Sequence, residues 1–189
     1  MTEHVVDQLE VEITPKEKEL IAKSSTNNEK AFEYYLQAHN LSQSRDSIDL
    51  STSIELLDKA IMIDSSYALA YAEKSSKLFA QGYKQYVPRD IAYVEAERLA
   101  HLALSIDSEV FVAHSVLATI EELVKKNKIK ADSLYSLSIK VNPNDATAHR
   151  HFSLFKKRNR DYKRAEELAK RSVDPVSYTH LTLPTNREV

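Results

Sequence analysis

A block of thirteen residues recurs along the chain and constrains the fold more than any other feature of the sequence. Its copies align without gaps as AIMIDSSYALAYA from Ala60, ALSIDSEVFVAHS from Ala103 and SIKVNPNDATAHR from Ser138, and a partial copy begins at Ser172. The spacings between these starting positions are 43, 35 and 34 residues. Periods of this length are typical of stacked supersecondary units, each of which buries an apolar face against its neighbours. The sequence therefore predicts a repeat protein.

Glycine is nearly absent, and this excludes several classes of fold and site. Gly82 is the one glycine among 189 residues, beside five prolines. Glycine-rich phosphate-binding loops and hairpin-rich β folds need residues at positive φ, so neither fits this chain. Charged residues make up 29% of the sequence, in long runs without a helix breaker, which indicates an all-α fold. Cysteine is also absent, so disulfides and thiolate metal sites are excluded.

Each block has the pattern of a helix end, a short turn and a new helix. An Ile or Val followed by Asp or Asn ends one helix, and a Ser or Pro comes next. We expect the Asn and Ser residues to cap the incoming helix, and Pro to suit its first positions. An aromatic residue or a His lies one turn into the new helix, at Tyr71, His114 and His149. Small residues recur where two helices would approach closely, at Ala60, Ala96, Ala103, Ala131, Ser138 and Ala165.

This pattern resembles the tetratricopeptide repeat (TPR) family, whose 34-residue unit carries small residues at its eighth, twentieth and twenty-seventh positions. The matching residues are Ala38, Ser75, Ala118 and Ser153 at the eighth position, Ser53, Ala96, Ala131 and Ala165 at the twentieth, and Ala60, Ala103, Ser138 and Ser172 at the twenty-seventh. The resemblance covers residues 28–175, although Arg160 replaces the family's glycine before the second helix of the last unit. It implies an all-α, right-handed α-solenoid of about four TPR-like helix pairs. We predict helices at 28–43, 47–63, 66–82, 89–106, 109–126, 129–141, 144–158 and 161–174.

Residues 1–27 precede the repeats and are predicted to form lead-in helices. Thr14 and Glu17 have the spacing of a capping box with a proline between them, and Thr26 with Glu29 repeats the spacing. The string LEVEITPKEKELIAKSSTNNEKAFEYYLQAHNL resembles the junction between an α/β effector-like domain and the TPR region of large bacterial signalling and regulatory proteins. Such proteins often begin with a nucleotide cyclase, a Ser/Thr kinase or a winged-helix DNA-binding domain. The resemblance implies that residues 1–27 are the end of a missing upstream domain, and the alternative is a capping helix alone.

The end of the chain differs in composition from the repeats. Residues 176–189, VSYTHLTLPTNREV, resemble the translation of a transposase mosaic-end adapter that is used to prepare sequencing libraries. In that frame Asn186, Arg187 and Glu188 cover a sample barcode, and Val189 precedes the stop codon. The resemblance implies that this segment derives from adapter DNA and has no native structure, so we exclude it from the fold.

No constellation of residues in the sequence supports catalysis, a cofactor or a metal site. The seven histidines include no His-Glu-x-x-His pattern and no pair four residues apart on a predicted helix. We interpret His114 and His149 as residues that fill the aromatic position of their repeats. A Gly-x-Ser-x-Gly nucleophile elbow needs two glycines and cannot occur. The chain is therefore predicted not to be an enzyme, with no cofactor and no small-molecule substrate.

Two charged clusters are interpreted as solvated surface. The carboxylates of Glu95 and Glu97, and those of Glu121 and Glu122, point in different directions from their helices and suggest no common pocket. The run KKRNRDYKR, which begins at Lys156, has six Lys or Arg in nine residues and would suit phosphates or an acidic partner. A solvated turn between helices has the same composition. Nucleic acid is not the expected partner, because the formal net charge of the chain is −2.

The predicted binding site is the concave groove, because in the TPR family the first helix of each unit lines this surface. The lining positions transfer to Leu69, Ala72, Ser76 and Phe79 in the second unit, to Val112, Ser115, Thr119 and Glu122 in the third, and to Thr147, Arg150, Leu154, Lys157 and Arg158 in the fourth. This wall grades from apolar to basic, which suits an amphipathic or acidic peptide.

The sequence therefore predicts a non-catalytic scaffold that holds a protein or peptide in this groove. The alternative, which follows from the junction, is the C-terminal scaffold or sensory part of a larger bacterial regulator. No stretch approaches the roughly 20 apolar residues of a membrane span, and the first residues do not form a secretory signal. The expected location is the cytoplasm, although a parent protein could be membrane-anchored.

Overall fold

The computed structural model of the chain describes residues 26–41 and 47–172. The lead-in helices, the capping box at Thr14 and the adapter-derived segment 176–189 lie outside the described residues. The same holds for most of the junction string and for the last residues of the partial repeat.

The described residues form eight α-helices and no strand. The helices are α1 (Glu29–Leu41), α2 (Ser47–Ile63), α3 (Ala68–Tyr83), α4 (Arg89–Ile106), α5 (Phe111–Leu123), α6 (Lys128–Val141), α7 (Ala146–Arg158) and α8 (Tyr162–Ser172). Their bounds agree with the predicted helices to within three residues. The helices pack in sequential pairs, α1 with α2, α3 with α4, α5 with α6 and α7 with α8. The fold is therefore the predicted all-α solenoid of four TPR-like helix pairs.

The first helices of successive units form a continuous layer. Helix α3 contacts α5, and α5 contacts α7. An apolar core lies between α3 and α5, with Ala72, Val116 and Ile120 among its buried members. A second core lies between α5 and α8, where Phe152 and Leu168 are buried. Each unit thus buries its apolar face against its neighbours, as expected for a solenoid.

The predicted seam of small residues lies between the helices and is buried, except at Ser153 and Ser172, which are partly buried. In each of the four units a serine of this seam also donates a hydrogen bond to the backbone of the opposite helix. The four bonds run from Ser53 Oγ to Ala38 O (2.8 Å), from Ser75 Oγ to Ala96 O (2.6 Å), from Ser138 Oγ to Phe111 O (2.9 Å) and from Ser153 Oγ to Ala165 O (2.8 Å). Small side chains let the two backbones approach, and the hydroxyls fix the distance between them.

The turns that lead into the first helices differ from the predicted caps. The side chains of Asp64, Asp107 and Asn142 accept hydrogen bonds from the backbone N–H two residues later, at 2.9, 2.9 and 3.2 Å. The residues before α3 and α5 cap through no side chain, so the prediction that Asn and Ser cap these helices is wrong. An Asx turn that follows the second helix of each of the first three units instead provides the hydrogen bond to a backbone N–H of the turn. Asp and Asn favour this arrangement because their short side chains bond easily to nearby backbone.

The start of α1 also corrects a prediction. The side chain of Asn28, rather than that of Thr26, accepts from the N–H groups of Lys30 and Ala31, both at 3.1 Å. Asn28 directly precedes the first helical residue, and asparagine is among the best N-cap residues. The Thr26 hydroxyl instead donates to the Asp64 carboxylate at 2.5 Å. It thereby ties the start of the first unit to the turn before the second.

The two repeat histidines have the structural role predicted for them. His149 is 1% exposed and His114 is 7% exposed. In both residues Nε2 donates to a carbonyl of the preceding turn, that of Ser108 for His114 (2.9 Å) and that of Pro143 for His149 (2.8 Å). Each histidine therefore holds the start of its own helix against the turn.

Gly82 allows a close approach between α3 and α4. A Cβ atom built on Gly82 would lie 2.7 Å from the Cβ of Ala92 and 3.1 Å from a ring carbon of Tyr93. Alanine normally stabilises a helix by about 1 kcal/mol relative to glycine. Here the overlap with a short, rigid side chain reverses the sign, and Gly82→Ala is expected to destabilise the protein by roughly 1–3 kcal/mol. Chemical denaturation measures this change.

The Gly82→Ala, Ala92→Gly double variant is the control for this prediction. Removal of the Ala92 Cβ relieves the closest overlap, so the two substitutions should be less destabilising together than the sum of their separate effects. A stabilised Gly82→Ala protein would show that α3 and α4 do not approach this closely.

Candidate functional site

The predicted groove residues lie on the layer formed by α3, α5 and α7, and their exposure differs from helix to helix. Ala72, Ser115 and Glu122 are buried. The partly buried members are Leu69, Ser76, Phe79, Val112, Thr119 and Arg150. The exposed members all lie on α7 and are Thr147, Leu154, Lys157 and Arg158. The layer is therefore open to a partner mainly along its last helix.

The apolar groove residues of α3 and α5 mostly take part in the protein core. Leu69, Phe79 and Val112 pack against the buried cluster that joins the second and third units, and Ala72 belongs to that cluster. Phe79 also stacks on Tyr93 of α4, with ring centroids 4.9 Å apart. These side chains hold the units together and leave little apolar surface for a ligand.

A buried clasp joins three of the predicted groove residues across two units. Arg158 donates to Glu122 through Nε (2.6 Å) and Nη2 (2.7 Å), so the guanidinium and carboxylate form a bidentate pair. The Tyr135 hydroxyl donates to the same carboxylate at 3.2 Å and lies 2.9 Å from the Thr119 hydroxyl. The side chain of Glu122 is only 7% exposed, whereas that of Arg158 is 46% exposed.

The clasp changes the titration of its members. The hydrogen bond to Glu122 raises the pKa of the Arg158 guanidinium, although burial opposes the change. Burial is the main cause that raises the pKa of the Tyr135 hydroxyl. Tyr135 therefore remains a neutral donor, and Arg158 keeps its charge with one face directed to Glu122. The arrangement suits positioning and contains no group poised for proton transfer.

A second buried ion pair lies on α3, where sequence reasoning did not place a site. Lys77 Nζ lies 2.9 Å from Glu73 Oε2, and both side chains are about nine-tenths buried. His39 of α1 approaches Glu73 Oε1 at 3.8 Å. Burial opposes the ionisation of Glu73, but Lys77 and His39 more than offset it and lower its pKa to about 2. The sequence feature that could have indicated this pair is the four-residue spacing of Glu73 and Lys77 within a helix rich in Ala and Ser.

The interpretation of the Glu121 and Glu122 side chains as solvated is wrong. Glu121 is 4% exposed and pairs with Lys130 (2.7 Å) and Lys125 (3.4 Å). Hydrogen bonding from Lys130 is the main cause that lowers the pKa of the Glu121 carboxyl. Lys125 also pairs with Glu97 of α4. These carboxylates are buried because they bridge neighbouring helices, and no sequence pattern marks a cross-helix partner.

Half of the cations in the basic run from Lys156 are neutralised by pairing within the protein. Lys156 pairs with Asp132 (2.6 Å), Arg158 pairs with Glu122, and Arg164 pairs with Glu167 (2.8 Å). Three of the six cations of the run thus have carboxylate partners, which favours the interpretation as a turn between helices. The other three are Lys157, Arg160 and Lys163.

Within residues 26–41 and 47–172, no group of three or more His, Asp or Glu side chains has the arrangement of a metal site. None of the helices in this part of the chain combines the length and the apolar character that a membrane crossing requires.

Solved structures that are similar to this chain include two of MamA. The first, described as the crystal structure of MamA, has 16% sequence identity and a TM-score of 0.48, and the match covers 87% of this chain and 86% of that one. The second, described as a MamA RS-1 ArsTM double mutant, has 14% identity and a TM-score of 0.46, with 89% and 85% covered. No family model matches the chain. No curated protein sequence matches it.

Proposed function

We propose that this chain is a non-catalytic scaffold that holds a peptide or a neighbouring domain on the layer of its first helices. One observation carries the proposal: the predicted groove residues that remain exposed are gathered on α7. The remaining groove residues are buried or partly buried, many of them packed between units. The binding surface is therefore the α7 face, which is shorter than the full groove that the TPR resemblance implies.

The α7 face combines one apolar anchor with basic groups. Leu154 is 40% exposed, and Lys157 and Arg158 follow it by three and four residues, so they lie on the same side of the helix. Arg150 lies one turn before Leu154 on that side. An amphipathic peptide would place an apolar side chain on Leu154 and its carboxylates near Lys157 and Arg158. Peptides of this kind bind through a few anchors with peripheral charge pairs.

The broader setting of the scaffold is also a proposal. The residues described provide no catalytic constellation, and we place the protein in the cytoplasm. The alternative, a C-terminal scaffold or sensory part of a larger bacterial regulator, rests on the junction resemblance at the start of the chain. Long-read sequencing of the source DNA upstream of codon 1 tests this alternative. An upstream open reading frame for a cyclase, kinase or winged-helix domain would support it, and a promoter there would contradict it.

Binding of labelled acidic amphipathic peptides tests the scaffold itself. We expect Leu154→Asp and Lys157→Glu each to weaken binding by about tenfold or more, since each removes one anchor or reverses one charge. The melting temperature should change little because both side chains are exposed. Met62→Asp, at an 85% exposed residue of α2, and Lys140→Glu, in the last turn of α6, are matched controls. Equal loss of binding in these controls would contradict the proposed surface.

A further inference from the structure

The two edges of the solenoid carry opposite charge. The turns between the helices of a unit, taken together with the adjoining helix ends as 84–90, 124–130 and 156–164, have formal charges of +1, +4 and +5. The turns between units, at 64–67, 107–110 and 142–145, have formal charges of −1, −2 and −1. The first set forms a basic edge of the protein, although the formal net charge of the whole chain is −2. A local field of this kind attracts acidic partners.

An open cleft lies on this basic edge, where the turns of the second and third units meet. It has a volume of about 410 Å³ and is lined by Tyr83, Arg89, Tyr93, Leu123, Val124 and Lys126. Arg89 also lines an adjoining cavity of about 480 Å³ that is formed by residues 85–89. The cleft is separate from the α7 face, and none of the predicted groove residues lines it.

The cleft is built from rigid parts. Phe79 and Tyr93 stack with centroids 4.9 Å apart, and Tyr83 stacks on Phe79 at 6.3 Å. On the other wall, Lys126 has a positive φ of 58°. The N–H of Asn127 donates to the Glu121 carbonyl at 2.8 Å and closes the turn. A preformed cleft loses little entropy when a ligand binds.

The side chains of the cleft leave both apolar surface and charge unsatisfied. Tyr83 is 58% exposed and Val124 is 41% exposed. Arg89 and Lys126 are exposed, and neither has an ion-pair partner among the described residues, although Lys126 Nζ donates a hydrogen bond to the Leu123 carbonyl at 2.6 Å. This distinguishes them from Lys125 and Lys130 of the same edge, which are held by Glu97 and Glu121. The cleft therefore presents an apolar floor between two cations that have no carboxylate partner among the described residues.

We propose that this cleft is a second docking site, which takes a short acidic polypeptide segment with one large apolar side chain. The apolar side chain lies on Tyr83 and Val124, and carboxylates on either side of it pair with Arg89 and Lys126. The aliphatic walls favour a polypeptide over a single-stranded nucleic acid. Leu123 and Val124 offer no ring on which a base could stack, and the rings of Tyr83 and Tyr93 each have Phe79 on one side.

The test uses the full chain and a fluorescein-labelled peptide of Asp and Glu with one central Phe. We expect Arg89→Glu and Lys126→Glu each to weaken binding by about tenfold or more, and a Phe→Ser peptide to lose a similar factor. Arg89 is the first residue of α4, where an acidic residue suits the helix dipole. Loss of binding in that variant is therefore not explained by unfolding, and a circular dichroism melt confirms the fold.

Matched variants separate this site from the rest of the surface. Lys140→Glu on α6 and Met62→Asp on α2, at residues outside both proposed sites, should bind the Phe peptide within about twofold of the unmodified chain. Three outcomes would overturn the proposal: undiminished binding by Arg89→Glu and Lys126→Glu, equal loss in Met62→Asp, or binding of a twelve-residue oligo-dT in place of the peptide. The proposed α7 site is tested separately. It would be contradicted if Leu154→Asp bound the amphipathic peptides used for that site as tightly as the unmodified chain does.

Discussion

Lys77→Met is expected to lower the free energy of unfolding by about 3 kcal/mol, because it leaves the buried Glu73 carboxylate without its cation. The Lys77 and Glu73 side chains are 10% and 11% exposed and lie 2.9 Å apart. His39 remains near Glu73 at 3.8 Å and limits the loss. Urea denaturation of the variant measures the change. The double variant Glu73→Gln, Lys77→Met should recover most of the loss, because no buried charge then remains.

The matched control for this prediction is Lys170→Met on α8. Lys170 and Glu166 have the same four-residue spacing as the buried pair, but their side chains are 68% and 69% exposed. Exposed pairs of this kind contribute little to stability because solvent screens them, so Lys170→Met should change the free energy of unfolding far less than Lys77→Met does. Similar effects of Lys77→Met and Lys170→Met would show that the Glu73 pair is not buried in solution.

The same pair makes stability depend on pH in a defined direction. The folded protein lowers the pKa of Glu73 to about 2 from its ordinary 4.5, so its stabilisation is present above pH 4.5 and is lost as the pH falls toward 2. The hydrogen bond to Glu73 raises the pKa of His39 above 6.5. The stabilisation that protonated His39 provides is therefore present below pH 6.5 and is lost as the pH rises through the raised pKa of His39. Glu73→Gln should flatten both limbs of the melting-temperature profile relative to the unmodified protein.

Tyr135→Ala is the second substitution with a large expected effect, about 3–5 kcal/mol of unfolding free energy. Tyr135 is 1% exposed and packs against Phe152 and Phe155, with ring centroids 5.5 and 5.3 Å away. The alanine variant loses this packing and leaves a cavity between the third and fourth units. Thermal and chemical denaturation should show the loss, and the last two units should unfold first.

Tyr135→Phe separates the ring from the hydroxyl. It keeps the aromatic packing and removes only the hydrogen bonds to Glu122 and Thr119. The expected loss is about 1 kcal/mol, since Arg158 still holds Glu122. If Tyr135→Phe were as damaging as Tyr135→Ala, the clasp and not the aromatic cluster would join these units.

The helix pairs could be predicted from sequence because their packing leaves a periodic pattern. Two helices can approach closely only where side chains are small, so residues such as Ala96 and Ala131 recur at the same position of successive units and remain buried. The histidines at 114 and 149 repeat in the same way, and their structural role could be predicted from that position. Periodicity of this kind is a property of the sequence alone.

The charged contacts could not be predicted, because their partners lie on other helices. Glu122 pairs with Arg158, 36 residues away, and Glu97 pairs with Lys125, 28 residues away. Neither separation repeats in the other units, so no pattern marks them. The exposure of the groove residues could not be predicted from sequence either. Whether Leu154 or Val112 is open to a partner depends on how the neighbouring helix packs, which a position within a repeat does not specify.

The repeated Asx turns make the unit boundaries interchangeable. A deletion of residues 107–141 would place Asn142 directly after Ile106, and its Asx turn would then replace that of Asp107. A single recombination event can therefore add or remove a whole helix pair without new chemistry at the joint, whereas an insertion of a few residues inside a helix shifts its buried face. The layer of first helices thus changes length in steps of one helix, and the length of partner that it can hold changes in the same steps.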